Sequence, residues 1–196
     1  MFKLQNYING ELVAPNSNEY IDNYNPSTGK VYSLIPDSDA GDVKQAVAAA
    51  KAAYPTWSVT PKENRSKIML KIVELINKNY DKLAEAEAID NGKPLWLAQK
   101  VDIARAASNF EFFATAILHF ASEAHMMEDK VVNYTRRDPL GVVGCISPWN
   151  LPLYLFTWKI APAIAAGNCV VAKPSEVTPM TAYLLSELCI EAGLPA

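Results

Sequence analysis

The sequence predicts an α/β fold in which N-terminal hairpins and helices precede part of a parallel sheet. The main observation lies near the C-terminus, where the short apolar strands Val142–Ile146 and 169–172 alternate with helical segments. Such alternation is typical of parallel strands joined by crossover helices. A second observation is the change, near residue 38, from turn dipeptides to helical periodicity.

Two β-hairpins are predicted in the N-terminal segment. The first covers residues 5–13 and turns at Asn9-Gly10, a dipeptide that tolerates the positive φ angles of a type I′ turn. The second joins residues 20–24 to 31–35 through a turn that contains proline and glycine.

Two amphipathic helices are predicted next. Beyond Asp39, apolar residues recur at spacings of three and four, and we expect the face that they form to lie in the core. These residues are Val43, Ala46, Val47, Ala50, Ala53 and Tyr54. A second helix is expected to start within residues 60–63, with the Thr60 hydroxyl as its N-cap and Pro61 at its first helical position.

The middle of the chain predicts further helices and then a strand. A third helix, around residues 83–89, should stop at Asn91-Gly92, and no Gly or Pro interrupts a long helical pattern over 95–121. Residues 130–137 are rich in Val, Tyr and Thr and are predicted to form an isolated strand. Asp138-Pro139 is the one candidate boundary.

The remaining residues predict strand, buried helix, strand and helix. Ligands of parallel sheets bind beyond the carboxyl ends of the strands. The loops at residues 147–150 and 173–176 follow the two strands and are therefore the expected functional loops.

Composition argues against several classes of protein. Half of the residues are apolar and a fifth are charged, as in packed globular proteins. The formal charge of -3, with scattered Lys and Arg, does not suit nucleic acid. No secretion signal or membrane span is expected, because the most apolar stretch, residues 151–166, is shorter than the ~20 residues that a span needs. Three widely separated cysteines disfavour disulfides and metal sites and favour a cytoplasmic location.

Asn150 is the first residue that suggests chemistry. It lies between two prolines and beside a tryptophan, in Ser147-Pro148-Trp149-Asn150-Leu151-Pro152, so its orientation is restricted. A side-chain amide there can donate a hydrogen bond to a developing oxyanion. By spacing alone, a turn asparagine packed by prolines is the favoured explanation of the pattern.

A long run of residues resembles the aldehyde dehydrogenase superfamily nearly position by position. The run is 141–179, GVVGCISPWNLPLYLFTWKIAPAIAAGNCVVAKPSEVTP. Shorter matches extend over the rest of the chain, at Tyr7-Ile8-Asn9-Gly10, Asn25-Pro26-Ser27-Thr28-Gly29, Arg65, Asp90-Asn91-Gly92-Lys93-Pro94 and Ala192-Gly193-Leu194-Pro195. The resemblance implies that residues 1–196 are the N-terminal part of an incomplete Rossmann-like cofactor-binding domain, that an oligomerisation-arm strand at 130–137 interrupts it, and that the catalytic domain is absent.

The same resemblance assigns roles to residues in the two loops. It implies that Asn150 stabilises the oxyanion of a thiohemiacetal, and that Lys173 and Glu176 hold the hydroxyls of the adenosine ribose. Without the resemblance, Lys173 is a solvated strand end and Glu176 is a favourable charge near a helix start. The cofactor cleft would also be lined by Ile146, Ser147, Pro148 and Trp149.

The resemblance implies a nicotinamide cofactor. NAD is favoured over NADP, because Glu176 beside the ribose would repel a 2′-phosphate. The expected partners are an aldehyde and this cofactor in the full-length enzyme, which is expected to be a homo-oligomer; neither nucleic acid nor a membrane is expected.

Within the superfamily, the chain is most similar to the branch that oxidises 2-aminomuconate and 2-hydroxymuconate semialdehydes. That resemblance implies that Arg105 helps to bind a substrate carboxylate, whose geometry suits a guanidinium. A surface arginine on a long helix is the alternative explanation.

Two groups that the family uses are not found in this sequence. The nucleophilic cysteine lies in a Gly-Gln-x-Cys string and the general base in a Glu-Leu-Gly-Gly string, and neither string occurs here. Cys145, Cys169 and Cys189 lie in apolar segments and are expected to be inert packing residues. The chain alone is therefore predicted to be inactive. The alternatives are a non-catalytic interaction module that pairs with full-length subunits, and a CoA-acylating family member.

Overall fold

A computed structural model describes residues 1–128 and 130–195. Its elements follow the predicted order, with additions and corrections given below. The strands are β1 (Phe2–Lys3), β2 (Asn6–Ile8), β3 (Glu11–Val13), β4 (Tyr20–Asn25), β5 (Lys30–Pro36), β6 (Ala124–Met127), β7 (Val131–Tyr134), β8 (Val142–Ile146) and β9 (Cys169–Lys173). The helices are α1 (Ala40–Trp57), α2 (Lys62–Lys78), α3 (Tyr80–Asn91), α4 (Leu95–Leu97), α5 (Ala104–His119), α6 (Pro152–Ala165) and α7 (Met180–Glu191), with a π-helical segment, Ala98–Ile103, between α4 and α5.

Both N-terminal hairpins are confirmed. Strands β2 and β3 are antiparallel, and Asn9 and Gly10 have φ angles of 56° and 77°, which the predicted turn requires. Strands β4 and β5 form the second hairpin, with a register shift between Asn23 and Tyr24. Strand β1 adds to β5 in parallel, a pairing that was not predicted because two residues carry no readable alternation.

The parallel pair near the C-terminus is confirmed. Val142 of β8 faces Cys169 of β9, and at the other end Ile146 faces Lys173. The ladder continues past the strands, since the Ser147 N–H donates to the Lys173 carbonyl at 3.0 Å. The carboxyl ends of β8 and β9 therefore lie side by side, and the two expected functional loops leave from the same edge.

The start of α1 follows the prediction, but its first turn does not. Asp39 forms a capping box with Asp42. Val43 is 55% exposed, so its expected place in the core was wrong. The inward side of this turn is taken by Asp42, which is buried and accepts a hydrogen bond from the Asn16 N–H at 3.0 Å.

The predicted cap of α2 was also wrong. The helix begins at Lys62 with Pro61 as the N-cap, and no side chain caps it. The Thr60 hydroxyl instead donates to the Thr56 carbonyl at 2.9 Å, so it serves the end of α1 rather than the start of α2. A hydroxyl can accept from one helix or donate to another, and local spacing does not distinguish the two.

The long helical pattern after residue 94 is confirmed from Leu95 to His119, but it is not one uniform α-helix. Residues Ala98–Ile103 are π-helical. Asp102 lies in this segment and is completely buried, where it contacts Lys93. Single π-helical turns of this kind often mark functional sites.

Residues 130–137 do not form the isolated strand that was predicted. Val131–Tyr134 is paired with Ala124–Met127 in an antiparallel hairpin. The first strand of this hairpin was missed because Ala-His-Met-Met has neither alternation nor β-branched residues. All eight residues of the two strands are exposed.

The core lies where α2, α5 and α6 meet. Its completely buried side chains include Met69, Ile72, Phe110 and Leu153. Trp57 and Arg65 close one end of this core by donating to the carbonyls of the last residues of α6, Ile164 at 3.2 Å and Ala165 at 3.0 Å. Across the described residues, none of the helices is long and apolar enough to cross a membrane.

Replacement of Gly92 by alanine tests the turn that ends α3. Gly92 has a φ of 79°, and an added Cβ would lie 2.8 Å from Pro26 Cγ. We expect Gly92→Ala to lower the free energy of unfolding by about 2–4 kcal/mol, from left-handed strain together with the clash. The measurement is urea unfolding of the variant and the unchanged chain, whose m values should be equal.

Gly29→Ala is the matched control for this variant. Gly29 also has a positive φ, 67°, but nothing lies within 4 Å of an added Cβ. In Gly29→Ala the free energy of unfolding should fall only by the cost of the left-handed backbone, about 1 kcal/mol. Equal losses in the two variants would contradict a close packing contact at Gly92.

Candidate functional site

The candidate site is the edge formed by the carboxyl ends of β8 and β9. Trp149 in the first loop and Glu176 in the second line one cavity of about 320 Å³. The wall opposite them is made by β4 and the end of α3, through residues that include Tyr24, Asp90 and Asn91. The site is therefore a cleft between the parallel strands and the N-terminal part of the chain.

Lys173 and Glu176 form an exposed ion pair at this edge. The Lys173 Nζ lies 3.0 Å from the Glu176 Oε2, and their side chains are 62% and 63% exposed. The pKa of Glu176 lies below its usual range, because the carboxylate accepts a hydrogen bond from its own backbone N–H and another from Lys173. An accessible ammonium beside an accessible carboxylate supplies the donors and acceptors that a vicinal diol needs.

The first loop presents its residues in different ways. Ile146 is 73% exposed and Trp149 is 60% exposed, while Pro148 and Asn150 are also at the surface. Ser147 is buried. Four of the five residues predicted here are thus exposed enough to meet a ligand, whereas the side chain of Ser147 is not.

Two main-chain carbonyls of this loop are held by residues at the end of α3 and directly after it. The Asn91 side-chain amide donates to the Trp149 carbonyl at 2.8 Å. The Lys93 Nζ lies 3.3 Å from the Asn150 carbonyl. Within the described residues, the Asn150 side chain itself makes no hydrogen bond, so its amide is free to bind a ligand.

Lys93 belongs to a buried ion pair. Its Nζ lies 2.9 Å from Oδ1 and 2.8 Å from Oδ2 of Asp102. The side chains of the two residues are 7% and 0% exposed. Such a pair has lost most of its hydration, and its members depend on each other and on the nearby carbonyl.

Two buried carboxyl groups of α3 hold the helices that follow the loops. Glu87 accepts hydrogen bonds from the Leu153 N–H at 3.0 Å, in the first turn of α6, and from the Thr181 hydroxyl at 2.6 Å, in the first turn of α7. Asp90 accepts from the Met180 N–H at 2.7 Å. Neither α6 nor α7 has a side-chain cap from its own N-cap residue. The carboxylates of α3 therefore satisfy backbone donors that would otherwise be buried without partners.

Burial changes the titration of both carboxyl groups. Loss of hydration raises the pKa of Glu87 to about 8, assisted by the negative charge of Asp102 and opposed by the hydrogen bonds from Thr181 and Leu153. Burial also raises the pKa of Asp90, against hydrogen bonds from Tyr32, Met180 and Asn23.

The Arg105 side chain makes no hydrogen bond or ion pair with the described residues of the two loops. It lies exposed on α5, and its guanidinium makes no hydrogen bond or ion pair with the described residues. Its role in binding a carboxylate stays a prediction.

The three cysteines are free thiols in apolar surroundings. Cys145 and Cys189 are buried and Cys169 is half-buried. Burial raises the pKa of each thiol, that of Cys189 to about 12. Few thiolates therefore exist at neutral pH. Among the described residues, no three His, Cys, Asp or Glu side chains are grouped so as to hold a metal ion.

Sequence reasoning missed the residues that hold the loops. They are Glu87, Asp90, Asn91, Lys93 and Asp102. One signal could have found the first two: Leu83, Glu87 and Asp90 follow the spacing of one helix face, so the two acids occupy positions of an apolar stripe. Acids at such positions are buried only when they are paired or hydrogen-bonded.

Comparison with known proteins assigns this arrangement to a family. The family model described as "Aldehyde dehydrogenase family" matches residues 12–196. The chain belongs to the aldehyde dehydrogenase family. The 2-aminomuconic semialdehyde dehydrogenase of Danio rerio is 50% identical over 193 residues, which are 98% of this chain and 39% of that protein. The 2-hydroxymuconic semialdehyde dehydrogenase of Pseudomonas sp. (strain CF600) is 41% identical over 201 residues, covering 100% of this chain and 41% of that protein.

Solved aldehyde dehydrogenase structures have the same fold. The NAD+ complex of the Bacillus cereus enzyme matches with a TM-score of 0.95 at 34% identity, over 98% of this chain and 40% of that one. An NADP-dependent enzyme of E. coli matches with a TM-score of 0.96 at 35% identity, over 100% of this chain and 40% of that one. The predicted α/β fold class is confirmed as part of the aldehyde dehydrogenase fold, and the chain spans about 40% of the length of the relatives that it matches.

Glu87→Gln tests the titration of the buried carboxyl. The unfolded glutamate titrates near pH ~4.3, so between there and a pKa of about 8 the folded chain holds a proton that the unfolded chain has lost. Rising pH should therefore lower the free energy of unfolding over this window, by at most ~1.4 kcal/mol per pH unit from this group.

The glutamine variant lacks this titration, because its amide is neutral at every pH. Its amide oxygen can accept from Leu153 and its NH₂ can donate to Thr181, so the hydrogen bonds are kept. The stability of Glu87→Gln relative to the unchanged chain should rise between pH 5 and 8, in urea unfolding at each pH. Parallel pH profiles for the two proteins would refute the raised pKa.

Proposed function

We propose that this chain supplies the cofactor-binding edge and the oxyanion donor of an NAD-dependent aldehyde dehydrogenase. The observation that carries the proposal is the arrangement of Asn150, Lys173 and Glu176 at the adjacent carboxyl ends of β8 and β9. Membership of the aldehyde dehydrogenase family supports it.

In this proposal the chain's residues bind and orient the reactants. The Asn150 amide N–H donates to the aldehyde oxygen as negative charge develops there, an interaction that strengthens in the transition state. Lys173 and Glu176 hold the ribose hydroxyls of the cofactor, which accepts the hydride when bound. Ile146, the Ser147 main chain, Pro148 and Trp149 form the adjoining wall.

The proposal includes a nucleophile other than the three cysteines of this chain. Their thiols are buried or half-buried and their pKa values are raised, which opposes attack by a thiolate at neutral pH. We therefore propose that these 196 residues do not complete the reaction by themselves, in keeping with relatives of which the chain spans about 40%.

A muconate semialdehyde is the proposed substrate. The names of the Danio rerio and Pseudomonas relatives support this class. Arg105 is the proposed contact for the substrate carboxylate, and its exposure on α5 leaves the guanidinium accessible. Three free cysteines suit a reducing compartment, so we also propose a cytoplasmic location, and we propose a homo-oligomer for the full-length enzyme.

A second candidate function rests on the hairpin β6–β7. Each of its paired residues is exposed, including Met126, Val132 and Tyr134 at 64%, 57% and 68%. Exposed apolar strands with open edges favour pairing with another chain. We propose this hairpin, whose second strand lies within the predicted arm at 130–137, as the contact through which the chain joins other subunits.

A chimera tests the activity directly. Residues 1–196 replace the matching segment of the Danio rerio relative, and NADH formation is measured with 2-aminomuconic semialdehyde. We expect turnover by the chimera and none by the chain alone. Asn150→Ala should lower kcat by about 100- to 1,000-fold, as the loss of an oxyanion donor does in other enzymes. The exposed residue Asn77 provides the control Asn77→Ala, whose kcat should not change.

A chimera that melts cooperatively but does not reduce NAD would contradict the proposed function. Equal losses in the two asparagine variants would instead remove the role given to Asn150.

Glu176→Gln tests the cofactor preference. The carboxylate should repel a 2′-phosphate, so its removal should raise the ratio of NADP to NAD kcat/KM by about tenfold, equivalent to ~1.4 kcal/mol. Glu74→Gln is the matched control, because Glu74 also pairs with an exposed lysine three residues away, at 2.8 Å. If Glu176→Gln left the ratio of NADP to NAD kcat/KM unchanged, the ribose of the cofactor would not lie beside Glu176.

A further inference from the structure

The orientation of Asn150 depends on groups outside its own loop. Its side chain branches from a Cα that lies between two peptide planes. One plane contains the Trp149 carbonyl and the other contains the Asn150 carbonyl. Because each plane is rigid, a hydrogen bond to its carbonyl oxygen restricts the orientation of the whole plane, and the orientations of the two planes together set φ and ψ at Asn150.

Both of these carbonyls are held by one short segment. Asn91 donates to the Trp149 carbonyl at 2.8 Å, and Lys93 lies 3.3 Å from the Asn150 carbonyl. The two donors are separated only by Gly92, whose positive φ of 79° turns the chain at the end of α3. The direction of the Asn150 Cα–Cβ bond is thus restrained by residues 91–93.

The Lys93 ammonium has no spare donor for another task. It carries three N–H bonds, and its three acceptors are Asp102 Oδ1 at 2.9 Å, Asp102 Oδ2 at 2.8 Å and the Asn150 carbonyl. The side chain is 7% exposed, so water does not replace these partners freely. Asp102 is completely buried in the π-helical segment and holds the ammonium in place.

We propose that Lys93, anchored by Asp102 and assisted by Asn91, is a positioning residue that aims the Asn150 side-chain amide. The assignment rests on the proposed function insofar as Asn150 is the oxyanion donor. Its structural part, that Lys93 sets the orientation of Asn150, stands independently of catalysis. A replacement of Lys93 should therefore disturb Asn150 without removing the groups that react.

The first arm of the test is a nuclear magnetic resonance measurement on the 15N-labelled chain. The Asn150 side-chain NH₂ signals are identified by their loss in Asn150→Asp. We expect Lys93→Met to shift or split these signals and Lys93→Arg to restore them in part. Asn91→Ala removes one exposed hydrogen bond, so it should keep the fold while it shifts the Asn150 NH₂ signals and the Trp149 indole signal.

Lys62→Met is the matched control. Lys62 also donates to a main-chain carbonyl, that of Leu118 at 2.8 Å, but at the start of α2. It should leave the Asn150 signals in place. Unmoved Asn150 signals in both Lys93→Met and Asn91→Ala would overturn the proposal, as would equal shifts in Lys62→Met.

The second arm measures the same variants in the chimera. Lys93→Met should lower kcat about 10- to 100-fold with little change in the KM for NAD, because a misplaced donor affects the transition state more than cofactor binding. Lys93→Arg should recover part of this loss. A raised KM for NAD with an unchanged kcat would overturn the positioning role. An inactive chimera without these substitutions would count against the proposed function. The nuclear magnetic resonance measurement would still decide whether Lys93 orients Asn150.

Discussion

The structure depends on two carboxyl groups of α3 that cap helices elsewhere in the chain. Helices α6 and α7 begin directly after the two loops of the site, and neither has a side-chain cap of its own. Glu87 and Asp90 accept from the first-turn donors Leu153, Thr181 and Met180 instead. Because an unsatisfied buried donor costs about 1–3 kcal/mol, these contacts fix where both helices start. The geometry of the site is therefore set from α3.

The opposite end of α6 is held in a similar way. Trp57 and Arg65 donate to the carbonyls of Ile164 and Ala165, in the last turn of α6, where helical carbonyls lack the i+4 donors of the helix interior. Helix α6 is thus hydrogen-bonded at both ends to the helices that precede the parallel strands, and its central side chains are buried against α2 and α5. An apolar segment with two prolines has little helical stability of its own, so tertiary contacts decide its position.

Two lysine–acid pairs near the site have the same chemistry and different uses. Lys173 and Glu176 are more than 60% exposed, and such a pair contributes little to stability, so its groups stay available to a ligand. Lys93 and Asp102 are buried, where separating them would leave an uncompensated charge. The exposed pair suits binding, whereas the buried pair suits the maintenance of a fixed geometry.

The sequence by itself determined the local elements and the edge at which the site forms. Periodicity, the Asn9-Gly10 turn and the alternation of apolar strands with helices depend on neighbouring residues, and so they could be predicted without a structure. The run from 141 to 179 similarly carried the family resemblance. Motif matching indicated Asn150, Lys173 and Glu176 as candidate site residues.

Only the tertiary structure decided which groups hold that edge in place. Glu87 lies 66 residues from Leu153 and 94 from Thr181, and Asp90 lies 90 from Met180. The pairing of β6 with β7, the exposure of Val43 and the use of Thr60 by α1 were likewise mispredicted from local spacing. A hydrogen bond between distant segments depends on how the chain packs, and the residues around either partner carry no periodic signal of it.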